Sequence, residues 1–259
     1  MYKVKFPSTK LPERSVLIYG VSKDNDKQTG NNFQSFIDWI VENKNKVSEL
    51  KIVLSDWLHR FYVGDEEALL WGKKWEEDNG RFLNKLNKVN IPYQLIHWKA
   101  VIETESFTKA KLEIKRLFNS DEGFIAIVKG LANNHKQKAG FTEALNYLLE
   151  ESAGIGSFEG ILTYPANELN GAVSYALKKL HYGPIFIGHM LVPPKARYNP
   201  QQDLCQLLFK AIRISEEAGY KSKLDKMNFF SQSIEAFEKN KDFSLFSQEL
   251  TTLQSTLPG

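Results

Sequence analysis

The sequence predicts an α/β protein with a parallel sheet covered by helices on both faces, on three grounds. Short apolar runs alternate with stretches of helical periodicity. The runs are near-continuously hydrophobic, as strands buried on both faces are. Three of them end in residues able to carry chemistry: Gly20-Val21-Ser22, Ser55-Asp56 and Tyr164-Pro165. In such folds ligands bind outside the carboxyl ends of the strands.

The elements follow in order. Residues 15–20 (SVLIYG) read as a buried strand, followed by a polar segment over 23–31. Phe33, Phe36, Ile37, Ile40 and Val41 recur at helical spacing. Residues 51–54 read as a second strand that stops at Ser55-Asp56. The pattern over 65–88 is helical, with Asn79-Gly80 as a turn signal that could split it. Residues 93–102 read as a third strand, 105–118 as a charged helix, and 124–131 as an apolar segment of either type. A helix is expected over 141–152, a strand over 160–164 stopped by Pro165, and a helix over 172–180. A strand over 185–192 and an amphipathic helix over 203–218 complete the pattern, before a polar, weakly helical tail from 223. No repeat or linker breaks the chain, so one domain over 1–259 is expected, with 220–259 as a divergent tail.

Composition sets outer limits. With 42% apolar and 25% charged residues the 259-residue chain can bury a large core. A net charge of +3 permits a polyanionic partner without demanding one. The single cysteine, Cys205, excludes an internal disulfide and a thiolate metal cluster. No secretory leader pattern and no run of about 18 apolar residues is present, so a soluble cytoplasmic protein with no membrane association is the expectation.

Five constellations could carry function. Ser22 follows a buried strand, and Gly20 would let the backbone turn so that the hydroxyl points into a crevice. The residue fits a nucleophile, although Asp24 stands where a hydrolase elbow has its second glycine; it also fits a loop serine that caps or turns. Tyr147 and Glu151 are four apart on one helix and share a face, where a carboxylate beside a phenol can hold a cationic amine. On spacing alone an ordinary solvated pair is the more common reading, with Glu151 near the helix end. Glu150 faces elsewhere and is expected to be solvated, so that Glu150→Gln would be nearly normal. Tyr164 ends a strand and could sit in the crevice mouth, or in the core with a satisfied hydroxyl. Lys74, Arg81, Lys85 and Lys88 fall on one helical arc suited to phosphates, with Glu77 and Asp78 close enough to pair with Lys74 and Arg81. Lys109, Lys111, Lys115 and Arg116 form a second cluster of the same ambiguity.

Other signatures are missing. Neither a phosphate-binding G-x-x-x-x-G-K-[ST] loop nor G-x-G-x-x-G occurs. His59, His97, His135, His181 and His189 show no metal-binding spacing and read as structural or surface residues, and Trp71 and Trp75, one turn apart, read as core.

The order of these features resembles that of the tRNA-dependent cyclodipeptide synthases over roughly residues 12–200. The strand-ending Gly20-Val21-Ser22 is similar to the family's nucleophile site. Tyr147-Leu148-Leu149-Glu150-Glu151 is similar to its substrate-binding tyrosine and glutamate, and Tyr164 to its third catalytic-site residue. Residues 64–88, with an acidic start and a basic later half, resemble its tRNA-contacting helix. Pro165 resembles the subgroup with proline after the strand-ending tyrosine. Asn25, three residues after Ser22, is instead characteristic of the other subgroup; Pro165 carries more weight here.

The resemblance implies a Rossmann-like fold, like the catalytic domain of class I tyrosyl- and tryptophanyl-tRNA synthetases but without ATP activation. No H-I-G-H motif occurs, and Lys221-Ser222-Lys223 only faintly echoes the synthetase lysine loop. It further implies Ser22, Tyr147, Glu151 and Tyr164 as catalytic residues. Gly20 and Asn25 join Tyr147 and Glu151 in substrate binding, and Lys74, Arg81, Lys85 and Lys88 bind tRNA. Two aminoacyl-tRNAs are the implied substrates of a monomer that uses no cofactor, metal or DNA. The route is ping-pong through an aminoacyl-enzyme on Ser22 and ends in a 2,5-diketopiperazine. Two rivals stand beside it: an α/β serine hydrolase using Ser22, and a non-catalytic aminoacyl-tRNA-binding module.

Overall fold

The computed structural model describes residues 2–6, 11–23, 25–165 and 169–192. They belong to one compact unit, Met1–Pro194. The helix expected over 203–218, Cys205 and Lys221-Ser222-Lys223 lie outside the described residues, as does the tail included in the single-domain expectation.

Five strands form an all-parallel sheet: β2 (Ser15–Val21), β3 (Val47–Leu54), β4 (Tyr93–His97), β5 (Ile161–Tyr164) and β6 (Ile185–Gly188), in the order β4-β3-β2-β5-β6. A separate antiparallel pair joins β1 (Lys3–Lys5) to β7 (Met190–Val192). The chain runs outward from β2 to β3 and β4, then returns to the opposite side of β2 for β5 and β6. The order therefore reverses between β2 and β5, and the crevice at their carboxyl ends is the topological switch point. Ser22 follows β2, and Tyr164 ends β5.

Alternation along the strands feeds two cores. Leu17, Tyr19 and Val21 of β2 face the layer made by α1 (Gly30–Glu42) and α3 (Asp65–Asn87), whereas Ile18 faces the opposite layer. That second layer contains α4 (Trp98–Ile102), α5 (Glu105–Ser120), α6 (Glu122–Ala139), α7 (Phe141–Gly156) and α8 (Gly171–Leu180). A short helix, α2 (Arg60–Val63), follows β3. The helical spacing of Phe33, Phe36, Ile37 and Ile40 puts all four on the buried face of α1, with Phe36 stacked on Tyr19 at 4.2 Å. Truncating Phe36 to alanine would cost about 3–5 kcal/mol in such a packed site.

The structure decides or alters the expected pattern at four places. Asn79-Gly80 does not split α3: Asn79 is buried, and its Oδ1 accepts from the Thr29 hydroxyl at 3.1 Å and the Gly30 N–H at 2.7 Å. A turn-favouring residue is kept helical by these tertiary bonds. The strand expected over 93–102 stops at His97, and α4 begins at Trp98, whose N–H donates to buried Asp56 at 2.8 Å. The ambiguous 124–131 segment is helical, within α6. The strand expected over 185–192 is two, because His189 leaves the sheet after donating its N–H to Tyr164 O, and the chain then pairs with β1.

Candidate active site

The segment after β2 is clamped by one side chain. Gln28, fully buried, accepts the Ser22 N–H on Oε1 at 2.7 Å and donates Nε2 to the Gly20 carbonyl at 2.5 Å. Its own carbonyl accepts from Trp75 Nε1 at 3.2 Å, so α3 holds the loop in place. This corrects the expected role of Gly20. It lies inside β2 with no positive φ, and a Cβ there would meet Leu162 and Tyr164 only at ordinary contact distances. The turn is made by the Gln28 clamp, not by glycine freedom. The Ser22 N–H is thereby taken, and the Lys23 N–H donates to His59 Nε2 at 3.3 Å. Neither is left to form an oxyanion site.

Ser22 Oγ lies 3.4 Å from the Tyr164 hydroxyl across the switch point. The Asn25 Nδ2 donates to that same hydroxyl at 3.3 Å, while Asn25 Oδ1 accepts the Lys27 N–H at 3.2 Å and caps the short 3₁₀ turn Asp26–Gln28. Asn25 is thus fixed at both ends of its amide beside the serine. Pro165, which is buried, directly follows Tyr164.

Tyr147 and Glu151 share a face of α7. Glu151 Oε2 accepts from Asn170 Nδ2 at 2.6 Å, and Asn170 Oδ1 caps α8 through the Val173 N–H at 3.0 Å. Burial pushes the Glu151 carboxyl up to about 7, opposed in part by the Asn170 bond. The Tyr147 phenol is raised well above its ordinary value by burial, then by the charges of Glu151, Tyr62 and Tyr164. It stays protonated at neutral pH. Its ring packs 4.7 Å from Tyr62 and edge-on to His59 at 5.5 Å. The structure therefore gathers Ser22, Asn25 and Tyr164 in one hydrogen-bonded group, with Tyr147 and Glu151 in the same electrostatic neighbourhood.

Glu150 corrects an expectation. It does face away from the Tyr147–Glu151 side, but it is not solvated. Its oxygens take Arg60 Nη1 at 2.7 Å and Nη2 at 2.8 Å, and Trp98 Nε1 donates to it at 3.0 Å. The bidentate pair ties α7 to α2 and α4, an arrangement that helical spacing cannot reveal.

Sequence reasoning missed Gln28, His59, Tyr62 and Asn170. Asn170 carried a signal, as an asparagine immediately before a helix. Tyr62 and His59 follow β3, where the strand-end rule points, but their sequence gives no separate mark. Ser55-Asp56, which that rule did flag, proves to be an anchor: Asp56 is fully buried and contacts His97 Nδ1 at 2.6 Å through Oδ2. Gly72 of α3 lets the helix approach it, since a Cβ there would lie 2.4 Å from that oxygen. Trp75 is buried and Trp71 half-buried in the core, as their spacing suggested.

The two basic clusters differ in how they are engaged. Lys74, Arg81 and Lys88 are exposed on α3 and just past it, and form no ion pair with Glu77 or Asp78 among the described residues. Lys85 differs from its neighbours: it pairs with Asp38 of α1. On α5, Lys109 pairs with Glu105 at 2.8 Å and Arg116 with Glu113 at 2.8 Å, and Lys111 lies over the Phe107 ring.

No protein-family model and no curated protein matches the chain. Solved structures do match. A cyclodipeptide synthase of Fluoribacter dumoffii superposes with a TM-score of 0.65 at 15% identity, covering 74% of this chain and 99% of that one. The synthase of Candidatus Glomeribacter gigasporarum, bound to Phe-tRNAPhe, gives 0.58 at 22%, covering 71% and 92%. A Mycobacterium tuberculosis protein gives 0.53 at 12%, covering 73% and 92%. The chain has the cyclodipeptide-synthase fold. The Mycobacterium structure is described as demonstrating that cyclodipeptide synthetases are related to type I tRNA synthetases, in keeping with the Rossmann-like sheet found here.

Proposed function

We propose that the protein joins two aminoacyl groups, taken from two aminoacyl-tRNAs, into a cyclic dipeptide. The observation that carries this reading is the Ser22–Tyr164 hydroxyl pair at the switch point, beside the raised Glu151 carboxyl, in a chain with the cyclodipeptide-synthase fold. Ser22 Oγ attacks the ester carbonyl of the first aminoacyl-tRNA, the ribose oxygen leaves with the proton, and an aminoacyl-enzyme forms. Tyr164 lies where it can relay that proton. With the backbone N–H groups of Ser22 and Lys23 engaged, the Asn25 amide and the Tyr164 hydroxyl are the donors beside the carbonyl oxygen as it gains charge. Glu151 and Tyr147 hold the α-ammonium group. The amine of the aminoacyl-enzyme, its proton taken by Glu151, attacks the ester carbonyl of the second aminoacyl-tRNA, whose ribose oxygen leaves with a proton. The amine of the dipeptidyl ester so formed attacks the ester carbonyl, and the Ser22 oxygen leaves with a proton as the diketopiperazine is released.

The ester is already activated, so the route needs neither ATP nor metal. Tyr164-Pro165 favours the proline subgroup, with Asn25 as a feature of the other. A serine hydrolase fits less well, because the hydrogen-bond partner of Ser22 Oγ among the described residues is a phenol and not an imidazole. Liquid chromatography with mass spectrometry on medium from a bacterial host expressing the chain tests the reading. A diketopiperazine absent from the control host is expected, and its absence from medium and cells that contain folded protein would overturn it.

A further inference from the structure

Tyr62 stands on α2, immediately beyond the carboxyl end of β3, with its ring 4.7 Å from that of Tyr147. Its hydroxyl is buried and has no hydrogen-bond partner among the described residues. A buried unpaired hydroxyl is costly, and native structures keep few of them without a reason such as an absent ligand. The position suggests the ligand. Burial, and then the nearby Glu151 carboxylate, raise the phenol to about 12, so it remains neutral and polar facing an acidic group with which it makes no hydrogen bond. A cationic amine between them would satisfy both: the carboxylate by charge and the phenol oxygen as acceptor.

We infer that Tyr62 is a third group of the amine subsite, its hydroxyl accepting a hydrogen bond from the α-ammonium of the first aminoacyl group alongside Glu151 and Tyr147. This rests on the function proposed above and adds a residue on α2 to that site. The recognised chemistry is a primary ammonium next to an ester, so an acylated amine, neutral and with a single N–H, would gain much less from Tyr62.

The test measures binding of full-length protein carrying Ser22→Ala, which blocks turnover, with and without Tyr62→Phe. The probes are the aminoacyl-tRNA that labels the wild-type protein and the same tRNA with its amine N-acetylated. Tyr62→Phe is expected to weaken the free-amine probe roughly 10- to 100-fold and to weaken the neutral acetylated probe far less. Equal weakening of both probes would mean that Tyr62 acts through packing alone, and unchanged affinity for the free amine would mean that it has no role; either overturns the inference. If no aminoacyl-tRNA labels the wild-type protein, the proposed function fails and the inference with it. Labelling with unchanged affinity sinks the inference alone.

Discussion

The hydroxyls of Ser22 and Tyr164 lie 3.4 Å apart although 142 residues separate them. They meet because β2 and β5 are neighbours across the point where the strand order reverses. Removing the phenol hydroxyl with Tyr164→Phe should slow transfer of an aminoacyl group to Ser22 by roughly 10²- to 10³-fold if it both relays the proton and steadies the oxyanion. Asn25→Ala, which removes a donor to the same hydroxyl, should slow it less. Single-turnover transfer of labelled aminoacyl groups measures both. An unaffected Tyr164→Phe would show that proximity here is not chemistry.

Glu151 gives the site a pH dependence with a definite sign. Its carboxyl is raised from an ordinary 4.5 to about 7, so between those values the folded protein holds a proton that the unfolded chain has released. Stability from this group is therefore lost as pH rises from 4.5 to about 7 and is level above. Glu151→Gln removes the titration and should melt progressively higher relative to wild type across that window. On the function proposed above the ionised carboxylate holds the ammonium, so kcat/KM should rise with pH toward 7 in the wild type, and Glu151→Gln should have little activity at any pH. Melting curves and rates over pH 4.5–8 check both.

Glu150→Gln should behave differently from its neighbour. It loses the charge that binds Arg60, and the pair is mostly buried, with side chains 11% and 19% exposed. A loss of about 1–3 kcal/mol is expected, read as a lower melting temperature. Activity per folded molecule should exceed that of Glu151→Gln. Equal loss of activity at a temperature where both are folded would place Glu150 in the site.

Much of this was legible in the sequence, for a physical reason. Continuous apolar runs and helical apolar patterns report burial, so the strand ending before Ser22, the strand ending in Tyr164 and the shared face of Tyr147 and Glu151 could be read directly. Asn79 and Glu150 could not. Turn preference at Asn79 is overridden by its bonds to Thr29 and Gly30, and the solvation expected for Glu150 is overridden by Arg60 and Trp98. Gln28 was invisible for the same reason: its function lies in partners brought together by folding, not in any local pattern.

The exposed cations of α3 and its end should dominate RNA binding. Neutralising Lys74, Arg81 and Lys88 should weaken affinity for tRNA and flatten its dependence on salt, the slope of log affinity against log salt falling in magnitude by roughly 0.7–0.9 for each phosphate that the protein then leaves unneutralised. Lys85→Ala should do less to the salt slope than its neighbours, because its charge is already paired with Asp38. Neutralising Lys109, Lys111, Lys115 and Arg116 should matter less, since Lys109 and Arg116 are paired within α5. None of these changes should alter which amino acids are joined, as phosphate contacts position without selecting. Affinity across a salt series for each set decides it; a larger change in slope from the α5 set would put the RNA elsewhere.

The central claim is that Ser22 carries the aminoacyl group. Wild-type protein and Ser22→Ala, each shown to be folded, are incubated with tRNA charged with labelled amino acids, quenched in acid and analysed by mass spectrometry of peptides. Label on Ser22 of the wild type and none on the variant, with no cyclic dipeptide from the variant, is the predicted result. Equal label on both proteins, or cyclic dipeptide from the variant at the wild-type rate, would contradict it.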